Sequence, residues 1–374
     1  MSDIQAVILA AGEGTRLRPL TKNRPKVMLP VVNRPILEHV LDAVVKAGIR
    51  DITVVVGYKK EQVMTFLNKY PMEISVAVQD KQLGTAHALS CAKEFIHTKT
   101  VILPGDNYID SESIKKMMEA DDAILVSHHP HPENFGVVVQ KGGFLEDIIE
   151  KPDTADESSL VSCGVYTLSP KLIGKISVCN MTDLMKALVS GKDKISVIEA
   201  DDWEDAVYPK DLLSLNRHLL SAVKTSKAGI VDKSAKITGS VVIGENTKIG
   251  ANCVIEGPVV IGDDCNIDGD VHIGGGTSIG SHTTIEPFTY IKNSILMNSS
   301  SVGSHSRIVD TVIGEGCICM DHISTVTEEV GAVLGDRVTV GPFTILNGCS
   351  IGNNTTIKGR KTIDFEIPEG SLVI

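Results

Sequence analysis

The sequence contains no C-x-x-C pair; its eight cysteines are scattered, and Cys317-x-Cys319 is the closest spacing. That excludes the usual zinc-site spacings and offers no disulfide framework. Cys253, Cys265 and Cys317 each fall four residues after an isoleucine, where a small buried thiol is expected. Long apolar runs are also missing. Stretches such as Ile52 to Val56 are far too short to span a bilayer, and the first residues show no basic region followed by an apolar one. A cytoplasmic protein without membrane partners is therefore expected. An excess of positive charge is absent as well: 36 lysines and arginines stand against 47 acids, for a formal net charge of -11. Bulk electrostatics thus provides no footprint for nucleic acid, and any basic site must be local. What is present is a chain of 374 residues with 42% apolar side chains. That suffices for two or three domains with cores of their own, and it excludes disordered and collagen-like readings.

One basic site stands near the beginning. After the apolar run Ala6-Val7-Ile8-Leu9 comes "LAAGEGTRLRPLT", Leu9 to Thr21, with two glycines, two arginines and one acid. The composition suits an anion. A dinucleotide fingerprint needs a third glycine where Leu17 stands, and a P-loop needs Gly-Lys-Ser/Thr, which is missing.

The first part of the chain alternates β-rich runs (Ala6 to Ala10, Ile52 to Val56, Ile74 to Val78, Val101 to Leu103, Ala123 to Ser127) with helical spacing (Ile36 to Ala47, Glu61 to Leu67, Ala86 to Phe95, Ser111 to Met118). This alternation predicts a mostly parallel, Rossmann-like α/β sheet with helices on both faces. Ligands of such sheets sit beyond the C-terminal strand ends, which puts the Leu9 to Thr21 loop on the functional rim.

From about Val223 the texture changes. Isoleucine recurs at 237, 243, 249, 255, 261, 267, 273, 279, 285 and 291, often followed by glycine. A six-residue period predicts a parallel β-helix, each hexapeptide forming one side of a coil. The phase slips after Met297, resumes near Ile313, breaks through Met320 to Val330 and returns at Leu334, the second break reading as a loop that leaves the coil. The expected organisation is residues 1–222, a linker 223–230, and a β-helix over 231–374. Long sheet edges and flat faces need covering, so a homo-oligomer, a trimer first, is expected.

The stretch "LAAGEGTRLRPLTKNRPKVMLPVVNRPILEHVL" resembles the signature of sugar-1-phosphate nucleotidylyltransferases. Further matches are "QDKQLGTA" from Gln79, Gly105-Asp106-Asn107, Phe135-Gly136, Glu150-Lys151-Pro152 and "WEDAVYPKDLLSLN" from Trp203. The layout is most similar to the bifunctional UDP-N-acetylglucosamine pyrophosphorylase and glucosamine-1-phosphate acetyltransferase family, whose hexapeptide coil winds left-handed. The resemblance implies attack of a sugar-1-phosphate on the α-phosphorus of a nucleoside triphosphate, with pyrophosphate leaving. The nucleophile is already an anion, so the protein must gather repelling phosphates and stabilise added charge. Gly12 and Gly14 would bring backbone N–H groups to the triphosphate, with Leu9, Ala10 and Thr15 around them. Arg16 offers a planar fork to phosphate oxygens and Lys26 a movable point charge, the two catalytic cations. The resemblance assigns Mg2+ to Asp106 and Asp205.

Gln79 falls at the pyrimidine-contacting position, with Gly84 and Thr85 beneath the ring; UTP is the first reading and dTTP the second. Gly136, Glu150, Lys151 and Ser162 match sugar-phosphate contacts. Where the N-acetylglucosamine enzymes carry Asn before a small residue and Gly, this chain has Ser162-Cys163-Gly164, which makes glucose-1-phosphate a competitor. The acetyltransferase half departs further, since "GEGCICMDHISTV" lacks the family's Asn-Tyr pair. His305 and His322 remain as possible bases for an acetyl-CoA-dependent second or sole activity, and a non-catalytic regulatory subunit is a third reading. Taken singly, Asp106 would also suit a helix N-cap before Ser111, and Trp203 and Phe135 read as packing groups.

Overall fold

The computed structural model describes residues 4–326 and 329–374. By packing, the chain forms two units: the described residues of Met1–Glu13 with Pro25–Met28 and Ile36–Asp205, and Gly14–Arg24 with Leu29–Pro35 and Ala206–Ile374.

In the first unit the strands are β1 (Ile4–Ala10), β2 (Asp51–Val56), β3 (Ser75–Val78), β4 (Lys99–Pro104), β5 (Asn107–Ile109), β6 (Ala123–His128), β7 (Gly136–Lys141), β8 (Phe144–Glu150), β9 (Leu160–Leu168), β10 (Ser196–Glu199) and β11 (Trp203–Asp205). The helices that matter here are α1 (Ile36–Ala47), α2 (Lys60–Leu67), α3 (Thr85–Cys91), α4 (Ser111–Glu119) and α5 (Met181–Ser190). The main sheet runs β3-β2-β1-β4-β9-β6-β10-β8-β7. Its first four strands are parallel. Successive side chains of a strand point to opposite faces. Ala6, Ile8 and Ala10 of β1 accordingly pack with Leu37 and Val40 of α1 and with Ile114 of α4. Val7 packs on the other face with Leu89 of α3 and Leu184 of α5. Burial on both faces is why β1 reads as a continuous apolar run.

Beyond β4 the sheet departs from the parallel pattern. Between β6 and β9 the chain makes a single 3-10 turn (Pro132–Asn134) and the β7–β8 hairpin, and without a crossover helix β9 enters antiparallel to β4 and β6. Helix α4 begins at Asp110, whose carboxylate accepts from Glu112 N at 2.8 Å. The cap is therefore Asp110, not Asp106. Phe135 and Trp203 do pack, edge to face with centroids 5.4 Å apart. No described helix is long and apolar enough to cross a membrane.

In the second unit the hexads build, among the described residues, three parallel sheets of 8, 9 and 8 strands, the parallel β-helix expected from their period, with the left-handed winding that the family resemblance implies. Ile243, Ile261 and Ile279 stack in one register and, with their counterparts, form a continuous buried core. The phase slip has a geometric cause. Ile279 pairs with Leu296, and Leu296 with Ile313, across coils one residue shorter than three hexads. The next coil, from Ile313 to Leu334, is longer. Its extra residues begin later than Met320, because Ser324–Val326 is still a strand. Of the expected loop, residues 327 and 328 lie outside the described residues. His322 is thus on a coil corner rather than in a loop. Helix α6 (Pro209–Ser221) packs against one sheet through buried Asn216, which donates to Gly276 O and accepts from Ser278 Oγ. Arg24 pairs with Asp336 on the coil at 2.8 Å, and Asn23 Nδ2 donates to the same carboxylate at 3.0 Å.

Candidate active site

The loops after β1, β2, β3 and β4 leave the sheet at its C-terminal edge and are stitched together. Tyr58 N donates to Ala11 O, Gln79 N to Val56 O and Gly105 N to Leu9 O, all between 2.8 and 3.0 Å. Gly57 is needed there, since a Cβ would lie 2.8 Å from Ala11 O. Leu9 and Ala10 form the base of this edge. Gly12 is exposed, with open space where a Cβ would be.

Lys26 is 8% exposed. Its Nζ lies 2.8 Å from Asp106 Oδ2 and 3.5 Å from Asp205 Oδ1. The two acids come from sequence-distant places because β11 runs antiparallel to β5, setting Asp205 opposite Asn107. Asn107, with its amide nitrogen turned toward the acid, donates to Asp205 Oδ1 at 2.7 Å. Burial alone would lower the Lys26 pKa, but Asp106 and then Asp205 outweigh it, and the net shift is upward. Lys26 is a fixed cation.

The donor set tests the fit to magnesium. Two carboxylates converge on one point, and Asp106 is 32% exposed at its side chain. Among the described residues no group of three or more His, Cys, Asp or Glu side chains could hold a metal. Two hard oxygen donors with an open side fit an ion that keeps waters and substrate phosphates as its other ligands.

A second cluster stands after β3. Gln79 Nε2 donates to Gly84 O, and Thr85 Oγ1 at the start of α3 accepts from Met181 N at 3.0 Å. A third lies on β7 and β8, where Gly136 is paired with Glu150. Lys151 follows with φ 43 and donates its N–H to Phe135 O. Thr182 Oγ1 donates to Glu150 Oε2 at 2.8 Å. Ser162 Oγ accepts from Gly164 N at 3.2 Å and lies 3.4 Å from Tyr166 Oη, in an irregular part of β9. Burial lifts the Tyr166 phenol to about 12.

Gly14, Thr15 and Arg16 belong to the segment that packs with the second unit. Gly14 takes φ 73 and opens a single turn, Thr15–Leu17, while its carbonyl accepts from Thr21 Oγ1 at 2.8 Å. The Arg16 side chain is exposed. On the β-helix, His305 and His322 stack with centroids 4.9 Å apart, between Phe288 and Phe343. All four rings stand on corner residues of positive φ.

Lys26, Asp106 and Asp205 stood out in the sequence, whereas Asn107 and Thr182 had no role there. Asn107 was within the quoted Gly105-Asp106-Asn107 signal. Thr182 had no signal, because its partner Glu150 lies far away in sequence.

The family model for nucleotidyl transferases matches residues 5–222, and that of the GMPPB C-terminal domain matches residues 255–364. The chain is 33% identical to the bifunctional protein GlmU of Methanococcus maripaludis, covering 99% of this chain and 97% of that protein. It is 36% identical to the low-salt glycan biosynthesis nucleotidyltransferase Agl11 of Haloferax volcanii, over 84% of this chain and 93% of that one. Among solved structures, a UDP-glucose pyrophosphorylase from Acinetobacter baumanii superimposes with a TM-score of 0.51 at 23% identity, covering 57% of this chain and 92% of that chain. The last likeness supports the fold alone. From these matches and the geometry above, the chain belongs to the nucleotidyl transferase family.

Proposed function

We propose that the chain transfers a nucleotidyl group, UMP first and dTMP second, from a nucleoside triphosphate to N-acetylglucosamine-1-phosphate or glucose-1-phosphate, releasing pyrophosphate. Catalysis is assigned to residues 1–222, and 223–230 link it to the β-helix of 231–374. The observation that carries the reading is a buried lysine shared by two convergent aspartates. Lys26, charged throughout the working range, holds the attacking phosphate against the α-phosphate. The backbone of Gly12 and Gly14 and the fork of Arg16 grip the polyphosphate. Asp106 and Asp205 are the residues that would hold Mg2+, with Asn107 orienting Asp205. When bound, the ion would supply positive charge to the substrate phosphates. Gln79, Gly84 and Thr85 take the base; Gly136, Glu150, Lys151 and Ser162 take the sugar phosphate. Intact Arg16, Lys26 and Asp106 speak against a purely regulatory subunit.

A protein of Sulfurisphaera tokodaii that is 30% identical over 99% of both chains is named a bifunctional sugar-1-phosphate nucleotidylyltransferase/acetyltransferase. Exposed His305 and His322 would be the bases for acetyl-CoA chemistry here, but the missing Asn-Tyr pair leaves this the second reading. A cytoplasmic homotrimer is proposed, for which exposed Ile318, Met320, Val326, Phe343 and Ile345 on the β-helix offer a surface.

The test is pyrophosphate release with each of four triphosphates against glucose-, N-acetylglucosamine- and glucosamine-1-phosphate, alongside acetyl-CoA turnover with the last. UTP with one of the first two sugars is expected to be fastest. Release with no triphosphate would overturn the reading, and robust acetyl transfer alone would favour the second.

A further inference from the structure

His87 lies on α3 and touches none of the groups assigned to phosphate or metal. Its position is fixed by its backbone, whose N–H donates to Cys179 O at 3.0 Å and whose carbonyl accepts from Ser90 Oγ at 2.7 Å. Its Nδ1 lies 2.9 Å from Gln79 Nε2. Gln79 is 3% exposed, and the same Nε2 donates to Gly84 O at 3.0 Å.

A carbonyl oxygen can only accept, so the amide nitrogen, not Oε1, must face Gly84. That carbonyl is itself held. Gly84 has φ 138, a Cβ there would collide with Cys179 O, and Gly84 O also accepts from Ala88 N at 3.0 Å. Because Gln79 Nε2 is a donor, His87 Nδ1 must be the acceptor, which puts the imidazole proton on its Nε2. Both amide hydrogens of Gln79 are then used. Oε1 remains, and among the described residues no donor reaches it.

We propose that His87 is a positioning residue for base selection: through Nδ1 it locks the Gln79 amide so that only the acceptor Oε1 is offered to the incoming base. An acceptor at that place favours a pyrimidine with a ring N3–H, uracil or thymine. It opposes cytosine, whose N3 is itself an acceptor. The proposal rests on the reading of Gln79 as the base contact.

The test compares kcat and KM for UTP and CTP in the wild type, His87→Leu, His87→Asn and Gln79→Ala. Loss of one hydrogen bond of this kind is expected to reduce the UTP-over-CTP preference about tenfold in His87→Leu, through KM and with kcat little changed. Asparagine places Oδ1 where Nδ1 stood, so His87→Asn should keep the preference. An unchanged preference in His87→Leu, with KM for UTP raised in Gln79→Ala, overturns the role of His87 alone. An unchanged KM in Gln79→Ala overturns the base contact beneath it. Independently, 15N NMR of the His87 ring in the wild type should show the Nε2–H tautomer; an Nδ1–H tautomer contradicts the proposal without any variant.

Discussion

At Lys26 burial and charge pull in opposite directions, and two aspartates decide the outcome. The upward shift starts from the ordinary 10.5, so the stability gained from these pairs is fully present below that pH and is lost only as pH climbs through the raised value. The coil cysteines show the opposite balance. Burial lifts the thiols of Cys317 to about 12 and Cys349 to about 11, and backbone hydrogen bonds offset it only in part. Since the thiolate is the reactive form, iodoacetamide at pH 8 should label exposed Cys179 first and partly exposed Cys91 more slowly. Mass spectrometry of the folded protein is expected to find Cys163, Cys253, Cys265, Cys317, Cys319 and Cys349 unmodified. Rapid labelling of Cys317 would contradict its place in the core. The three cysteines spaced four residues after isoleucine were legible as inward-facing. The task of Asn107 was not, because it depends on the pairing of two strands separated by about half of the first unit.

Among the elements, the parallel strands and the hexads were legible because each has a simple period and a fixed burial. The irregularities were not. A coil shorter by one residue looks like loss of phase, although the register simply continues from Ile279 to Leu296. The longer coil from Ile313 to Leu334 had the converse effect and put His322 in an expected loop, when its ring lies stacked in a column of four. Antiparallel β9 was also hidden, since a hairpin rather than a helix precedes it. The segment ending at Arg24 yields a prediction on this scale. Asp336 is 5% exposed and accepts from Arg24, Asn23 and Glu315 N. Its loss leaves a guanidinium with Glu315 as its one charged partner among the described residues. Removing one partner of such a buried pair destabilises by about 3 kcal/mol, so Asp336→Ala should lower the melting midpoint by several degrees in calorimetry. An unchanged midpoint would mean that the pair is dispensable.

For the whole molecule, association and catalysis are separable questions. Light scattering at micromolar concentration is expected to give three times the 40.0 kDa chain mass; a mass of one chain would remove the trimer and leave the chemistry untouched. The chemistry turns on whether the lysine between two aspartates is where phosphates meet. The most direct measurement is pyrophosphate release from UTP and a sugar-1-phosphate by the wild type and by Lys26→Ala, with the melting midpoint recorded for both. Loss of one such preorganised charge removes about 2.7–4 kcal/mol of transition-state stabilisation, so Lys26→Ala should turn over a hundredfold or more slowly while remaining folded. Turnover equal to the wild type in a folded Lys26→Ala protein would contradict the account.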